Sequence, residues 1–177
     1  MSLPATDLQP FLQAVHAARA LPAAQARADH AAPVIERAIN GRYVARSVTP
    51  LGPVYSLGLR GRRAVGLSGM YKPSSSALVN AAALHVVRCA LARDHEIEDA
   101  GRRFAFQARQ GEHAFLCVAR YSGFTREGLR RLILSLSLSG PVRLRVYVEG
   151  SHLPDLRAVP WECGSVQTSF HAIPPIE

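Results

Sequence analysis

The chain has 177 residues, of which 48% are hydrophobic and 19% are charged, enough apolar material for one globular domain or two small ones. This composition excludes a wholly disordered chain, because disordered chains are poor in apolar residues. The apolar stretches are interrupted well before the roughly 18 residues that a membrane span needs, and no secretory signal opens the sequence. We therefore expect a soluble, cytoplasmic protein.

The charge is strongly basic: 21 Lys and Arg stand against 13 Asp and Glu, for a net charge of +8 at pH 7. Lys72 is the only lysine, so almost all of the positive charge is carried by arginine. The planar guanidinium matches phosphate and guanine, which favours an acidic partner such as nucleic acid. A GC-rich genome would produce the same arginine bias without a functional cause.

The cysteines and histidines show no metal-binding pattern. The three cysteines form no CxxC pair and are odd in number, so neither a zinc site nor a disulfide framework is predicted. The seven histidines have neither HxxxH nor HxH spacing, which favours packing or surface roles. We predict no metal and no cofactor.

The first seventy residues have the pattern of three short helices followed by a hairpin. The predicted elements are helices Asp7–Arg19, Ala23–Ala28 and Pro33–Asn40, then strands Tyr43–Val48 and Val54–Leu57 joined by a Pro/Gly turn. This order is typical of a winged helix-turn-helix. Residues 1–70 are therefore predicted to form a DNA-binding domain.

Residues 71–177 have the pattern α-β-β-α-β, that of a small α/β domain, so the whole chain is predicted to be α+β. A Ser-rich linker leads into a long helix, and the charged run Arg93–Asp99 is interpreted as the end of that helix. The later elements are strands Arg103–Ala108 and His113–Arg120, a helix from Thr125 to Gly140, strand Val142–Glu149 with one buried face, a short helix His152–Val159 and a strand Val166–Ile173.

Positive charge is concentrated in the first part of the chain. Residues 1–70 hold eight arginines and three acids, a net charge of +5, whereas the other 107 residues hold 13 basic and 10 acidic groups, a net charge of +3. The excess thus coincides with the predicted DNA-binding domain.

Three stretches carry a resemblance to a known family: the wing ending Tyr55-Ser56-Leu57 with Gly61; Ser74–Asn80 followed by His85–Ala92; and Phe115–Arg120 through Arg130-Arg131-Leu132 into Val142–Glu149. In these stretches the chain resembles the replication-relaxation family of bacterial plasmids, phages and mobile elements. The resemblance implies DNA binding linked to replication or transcription regulation, with no cofactor.

In that family the second half resembles a restriction-endonuclease-like fold, whose hairpin typically ends in a Glu-Val-Asp-like strand. The matching strand here reads Cys117-Val118-Ala119. A nuclease of that type needs carboxylates and a lysine that hold Mg²⁺ and activate water. Because this strand offers neither, and no other catalytic motif is present, we predict a non-catalytic scaffold or dimerisation domain.

Ten residues are predicted to contact DNA. In the third helix, Arg37 and Asn40 could contact base edges, because Arg pairs with guanine and Asn with adenine. The other predicted contacts, mainly to phosphates, are Arg27, His30, Arg42, Arg46, Thr49, Arg60, Arg62 and Arg63.

Two functions of different classes remain open. The first is a sequence-specific binder of double-stranded DNA, acting as a homodimer that reads two half-sites. The alternative is a protein–protein adaptor within a larger complex, which the uncharged wing tip Pro50–Pro53 favours. A small-molecule-sensing repressor is a third possibility, although no motif points to a ligand.

Overall fold

The structure, a computed structural model, describes residues 8–69, 71–101, 105–138, 140–161 and 164–176. In these residues the fold is α+β, with seven α-helices, a three-stranded antiparallel sheet and a five-stranded mixed sheet. The chain divides into two compact units, of which the first extends to His85 and the second runs from Val86 to Pro175. None of the described helices is long and apolar enough to cross a membrane.

The first unit contains four helices and three strands ahead of a long fifth helix. They are α1 (Leu8–Ala18), β1 (Leu21–Pro22), α2 (Ala23–Asp29), α3 (Ala32–Asn40), β2 (Val44–Thr49), β3 (Gly52–Leu57) and α4 (Leu59–Ala64). Apolar residues at helical spacing place Phe11, Leu12 and Val15 of α1 in the core. The three predicted helices and the predicted hairpin are confirmed.

The three-stranded sheet has the order β1-β3-β2, with all neighbours antiparallel. The hairpin turns between Thr49 and Gly52, and Gly52 takes the left-handed conformation, with φ of 90°. Leu21 and Pro22 pair with Tyr55 and Val54, although the sequence indicated only a break between helices at this point. A two-residue strand leaves no alternation to detect, which is why it was missed.

The long helix α5 (Ser75–Leu91) follows the linker and contributes to both units. Ser74 caps the start of this helix, because its Oγ accepts a hydrogen bond from the Ala77 N–H at 3.2 Å. In its first half, Leu78, Ala81 and Ala82 form one buried cluster with Ala20 and Val54. For this reason the two units divide inside α5, whereas the sequence places the domain boundary at residue 70.

The second unit is built on the five-stranded sheet, in the order β4-β5-β6-β7-β8. Its elements after α5 are β4 (Glu96–Asp99), β5 (Ala105–Gln110), β6 (His113–Arg120), α6 (Arg126–Ser137), β7 (Val142–Val148), a 3₁₀ turn (Gly150–His152), α7 (Leu153–Arg157) and β8 (Val166–Ala172). The first three strands are antiparallel to one another, and β6, β7 and β8 are parallel. Leu129 and Ile133 of α6 share a core with Val146 of β7 and Trp161.

The interpretation of Arg93–Asp99 as a helix end is wrong for its second half, because Glu96–Asp99 is the edge strand β4, paired with β5. Acidic residues are rare in strands, so residue types alone do not predict a strand here. At a sheet edge, however, exposed charges are favourable because they discourage pairing with other chains. The first two residues of the predicted strand Arg103–Ala108 lie outside the described residues.

Strand β7 is buried on more than the one face that its alternation predicts. Leu144, Val146 and Val148 are buried as expected, but Tyr147 on the opposite face is only 6% exposed. Arg145, also on that face, is half-buried and lies 3.6 Å from the centre of the Phe115 ring. A central strand has neighbours on both sides, so its polar face is partly covered by side chains of those neighbours.

Candidate nucleic-acid interface

Helix α3 presents a polar face away from the core of the first unit. Val34, Ile35 and Ala38 are buried, whereas Glu36 and Asn40 are exposed. Arg37 is half-buried and already has an interaction within the molecule. The outward positions of Glu36 and Asn40 follow the helical period.

Five of the predicted arginines are exposed, and Arg60 among them is bonded within the molecule. The other four are Arg27 on α2, Arg42 after α3, Arg46 on β2 and Arg63 on α4. Within the described part of the chain their side chains have no hydrogen-bonding or ionic partner. Both α2 and β2 pack directly on α3. Arginines left without carboxylate partners on neighbouring elements can bind an external anion without first breaking an internal contact.

Two further arginines are held by local hydrogen bonds. Arg60 donates from Nη1 to the Gly41 carbonyl, at 3.3 Å, at the end of α3. Arg62 donates to the carbonyls of Gly69 and Ser68, each at 3.2 Å, and its guanidinium lies 5.7 Å from the centre of the Tyr71 ring. These bonds stabilise the turn after α3 and the loop after α4.

His30 and Thr49 also have structural contacts. The half-buried His30 ring meets Phe11 edge-to-face, with ring centres 5.1 Å apart. Thr49 closes the hairpin turn, because its Oγ1 donates to the Gly52 carbonyl at 2.8 Å and accepts from the Leu51 N–H at 3.2 Å. Both residues stabilise the elements that carry the arginines.

The apolar side chains near the end of the hairpin differ in exposure. Val48 is 84% exposed. Leu51 is partly buried and packs on the cluster formed by Ala20, Val54 and the first half of α5. Pro50 in the turn is also exposed, so the end of the hairpin offers Val48 and Pro50 as exposed apolar residues, whereas Leu51 is covered.

The second unit contains a polar cluster that the sequence did not reveal. On one face of the five-stranded sheet, Arg145 Nη1 lies 3.3 Å from His95 Nε2, and the rings of Tyr147 and His171 stack with centres 5.1 Å apart. Alternation along β7 predicted that Arg145 and Tyr147 share a face. The histidines come from before β4 and from β8, so only the strand order brings them there.

Burial shifts the pKa of Tyr147 and His171 in this cluster and of Cys117, which lies on β6 directly opposite Arg145. It raises the pKa of the Cys117 thiol to about 11, although the Arg145 charge acts in the opposite direction, and it also raises the pKa of the Tyr147 phenol. Burial, together with the charges of Arg145 and Arg157, lowers the pKa of His171. At neutral pH the thiol and phenol are protonated and His171 is neutral, so Cys117 is not an activated nucleophile.

The described residues contain no group of three His, Cys, Asp or Glu side chains arranged to hold a metal ion. We find no match to this chain among protein-family models, curated proteins or solved structures.

Proposed function

We propose that this protein binds double-stranded DNA without catalysing a reaction, as a sequence-specific regulator or replication-associated factor of a bacterial or mobile element. The observation that carries the proposal is the set of exposed arginines without internal partners: Arg27, Arg42, Arg46 and Arg63. They lie on or beside α2, α3, β2 and α4, in the part of the chain that carries a net charge of +5. An acidic polymer is the partner that such a distribution favours.

The first unit would act as a winged helix-turn-helix. The order α1-β1-α2-α3-β2-β3 and the pairing of β1 with β3 support this assignment. In that arrangement α3 is the recognition helix and enters the major groove, and the β2–β3 hairpin is the wing. Arg37 would contact guanine and Asn40 adenine, while the four exposed arginines would contact phosphates.

The second unit would supply a scaffold and the contact between two copies. Its order α5-β4-β5-β6-α6-β7 supports a degenerate restriction-endonuclease-like fold. Cys117 occupies β6 at a position where such a nuclease would carry a carboxylate, and it is fully buried opposite Phe106. A homodimer would place two recognition helices on two half-sites.

The test is fluorescence anisotropy with a pool of random duplex DNA at 50 and 200 mM salt. We expect micromolar or tighter binding of the native protein that weakens steeply with salt, since each phosphate contact contributes about 0.9 to the slope of log K against log salt. The variant Arg27→Ala/Arg46→Ala/Arg63→Ala should lose affinity and reduce that slope by roughly 3 for one copy. Arg42 is left unchanged because its backbone has a φ of 58°, which makes substitution effects harder to interpret.

The matched control is Arg109→Ala/Arg126→Ala/Arg130→Ala, which removes three exposed arginines from the second unit. The control should retain most of the native affinity, although the change in net charge is the same. Absence of binding at low salt, or equal losses in the two triple variants, would refute the proposed interface. Selection of a preferred sequence from the pool would then allow Asn40→Ala to be tested for relaxed discrimination at one base pair, an effect of about 1–3 kcal/mol.

A protein–protein adaptor is the second candidate, and the exposure of Val48 at the hairpin tip favours it. An exposed apolar side chain near the end of a hairpin suits insertion into a pocket of a protein partner better than contact with phosphates. If the protein is an adaptor, Val48→Asp should abolish its function in cells, and Arg27→Ala/Arg46→Ala/Arg63→Ala should not. If it binds DNA, the triple arginine variant should abolish that function and Val48→Asp should not.

A further inference from the structure

The two edges of the five-stranded sheet differ in length and charge. Edge strand β4 has four residues, three of them acidic, in the sequence Glu-Ile-Glu-Asp. Edge strand β8 has seven residues, Val166–Ala172, and contains no Lys, Arg, Asp, Glu or Pro. Charges, proline and short length are the usual protections of an exposed edge, so β4 is protected and β8 itself is not.

The outward backbone groups of β8 can be assigned from its pairing. The Ile173 N–H donates to the Val148 carbonyl at 2.8 Å, so the odd-numbered residues of β8 direct their N–H and C=O groups toward β7. The even-numbered residues therefore direct theirs outward. Phe170 confirms this, because its carbonyl accepts from Arg157 Nη2 at 3.0 Å. In the described residues, Thr168 and Ala172 have no partner for their outward backbone groups.

The side chain of Thr168, at the centre of β8, also lacks a partner. It lies on the same face of the sheet as Val166 and Phe170, which belong to the apolar core of the second unit. Its Oγ1 is buried, and among the described residues it has no hydrogen-bonding partner. A buried hydroxyl without a partner is unfavourable, so it marks a place where a partner is missing.

A groove of about 640 Å³ runs along the same strand. It is lined by residues 166–170 of β8 and, on the other side, by Val159, Pro160 and Trp161. The groove gives an added chain access to the unpaired backbone groups.

We propose that β8 pairs with β8 of a second copy of this chain, antiparallel and about a two-fold axis at Thr168. The two sheets then form one continuous sheet of ten strands. Thr168 faces Thr168 of the other copy on the same side of the sheet, where cross-strand threonines can hydrogen-bond to each other. This pairing provides each buried hydroxyl with a partner and also uses the outward N–H and C=O of Thr168.

The second copy is a better occupant than an unrelated peptide, because the strand is complementary to itself. Antiparallel pairing about an axis needs the same donors, acceptors and side chains on both partners, and β8 supplies them. Two molecules of net charge +8 repel each other, so an uncharged strand is a favourable place for close contact. The Phe170 carbonyl has a second lone pair, so its bond to Arg157 is compatible with the pairing.

The first test measures molecular mass by light scattering coupled to size-exclusion chromatography, without DNA. The native protein should elute as a dimer of the 19.2 kDa chain. In the proposed register Gln167 lies opposite Ser169 of the other copy, and both are exposed. The variant Gln167→Asp/Ser169→Asp places like charges opposite each other twice, so it should be monomeric.

The control Gln110→Asp/Ser135→Asp makes the same two chemical changes at exposed positions on β5 and α6, and it should remain dimeric. Far-UV circular dichroism checks that both variants stay folded. A monomeric native protein, or a dimeric Gln167→Asp/Ser169→Asp variant, would overturn the proposal. The inference rests on the part of the proposed function that assigns the contact between two copies to the second unit. Since DNA is absent, the outcome does not depend on whether the protein binds DNA.

The second test measures the register by oxidative cross-linking. Across the proposed axis, the Thr168 Cα atoms of two copies are about 5.5 Å apart, within the range of a disulfide. The Ala172 Cα atoms are about 27 Å apart, at about 3.4 Å a residue. Thr168→Cys should cross-link beyond the native background and Ala172→Cys should not. Cross-linking of Ala172→Cys alone would overturn the axis at Thr168.

Discussion

Gly61 shows how a single residue fixes the packing of the first unit. It is buried in α4, and a Cβ atom at this position would lie 2.1 Å from the Tyr43 carbonyl oxygen. The same carbonyl accepts the Gly58 N–H at 2.8 Å. The helix therefore approaches the backbone before β2 as closely as a residue without a side chain allows. This close approach is a physical reason for the glycine at position 61, after the wing ending Tyr55-Ser56-Leu57.

Gly61→Ala should destabilise the protein, although Ala normally favours a helix over Gly by about 1 kcal/mol. The new methyl group meets backbone atoms, which cannot move aside as a flexible side chain can, so we expect the free energy of unfolding to fall by about 2 kcal/mol or more. Urea unfolding monitored by circular dichroism measures this change. Gly150→Ala is the control, because its Cβ would meet no atom within 4 Å. A Gly61→Ala variant as stable as the native protein would contradict the close approach.

At the scale of elements, α6 is the helix whose start the sequence predicts most directly. The predicted helix begins at Thr125, and Thr125 Oγ1 caps it by accepting from the Gly128 N–H at 3.1 Å. Thr125→Ala should lower the free energy of unfolding by about 1 kcal/mol. Ser135→Ala, at an exposed position of the same helix, should change it by less than about 0.5 kcal/mol. Equal effects of the two substitutions in urea unfolding would argue against the cap.

Elements with a strong local period were predictable, and elements that depend on their neighbours were not. The alternation of apolar residues predicted β7, and helical spacing predicted α1, α3 and α6. Strand β1 has only two residues, and β4 consists mostly of acids, so neither carries a local signal. Both exist because a neighbouring strand pairs with them. Tertiary pairing therefore decided these elements, and single-sequence patterns do not contain that information.

The candidate interface also contains features that the sequence predicted and features that it did not. Residue type and helical spacing predicted that Asn40 faces outward, and composition predicted the excess of arginine. Which arginines remain without partners depends on local loops, since Arg60 and Arg62 bond to the carbonyls of Gly41, Ser68 and Gly69. Such side chain–backbone bonds follow from the path of the chain after each helix. The spacing of residues in the sequence could not show that Arg60 and Arg62 have internal partners whereas Arg63 is left without one.

At the scale of the whole molecule, DNA binding and pairing through β8 together predict a difference in salt dependence. One copy offers four exposed arginines without partners, and two copies joined by their second units offer twice as many. On a duplex long enough for two half-sites, about 10 base pairs apart, both copies can contact phosphates. The native dimer should therefore show a slope of log K against log salt steeper by roughly 3 to 4 than the Gln167→Asp/Ser169→Asp monomer.

Anisotropy titrations of both proteins over the same salt series measure this difference. The substituted residues lie on β8, outside the first unit, so the monomer keeps its own arginines and should bind a duplex of one half-site with a slope close to that of the dimer. Comparing the two duplex lengths therefore distinguishes a variant that no longer dimerises from a variant whose first unit no longer contacts DNA. Equal slopes for dimer and monomer on the long duplex would mean that only one copy reaches the DNA, and dimerisation would then serve a purpose other than reading two half-sites.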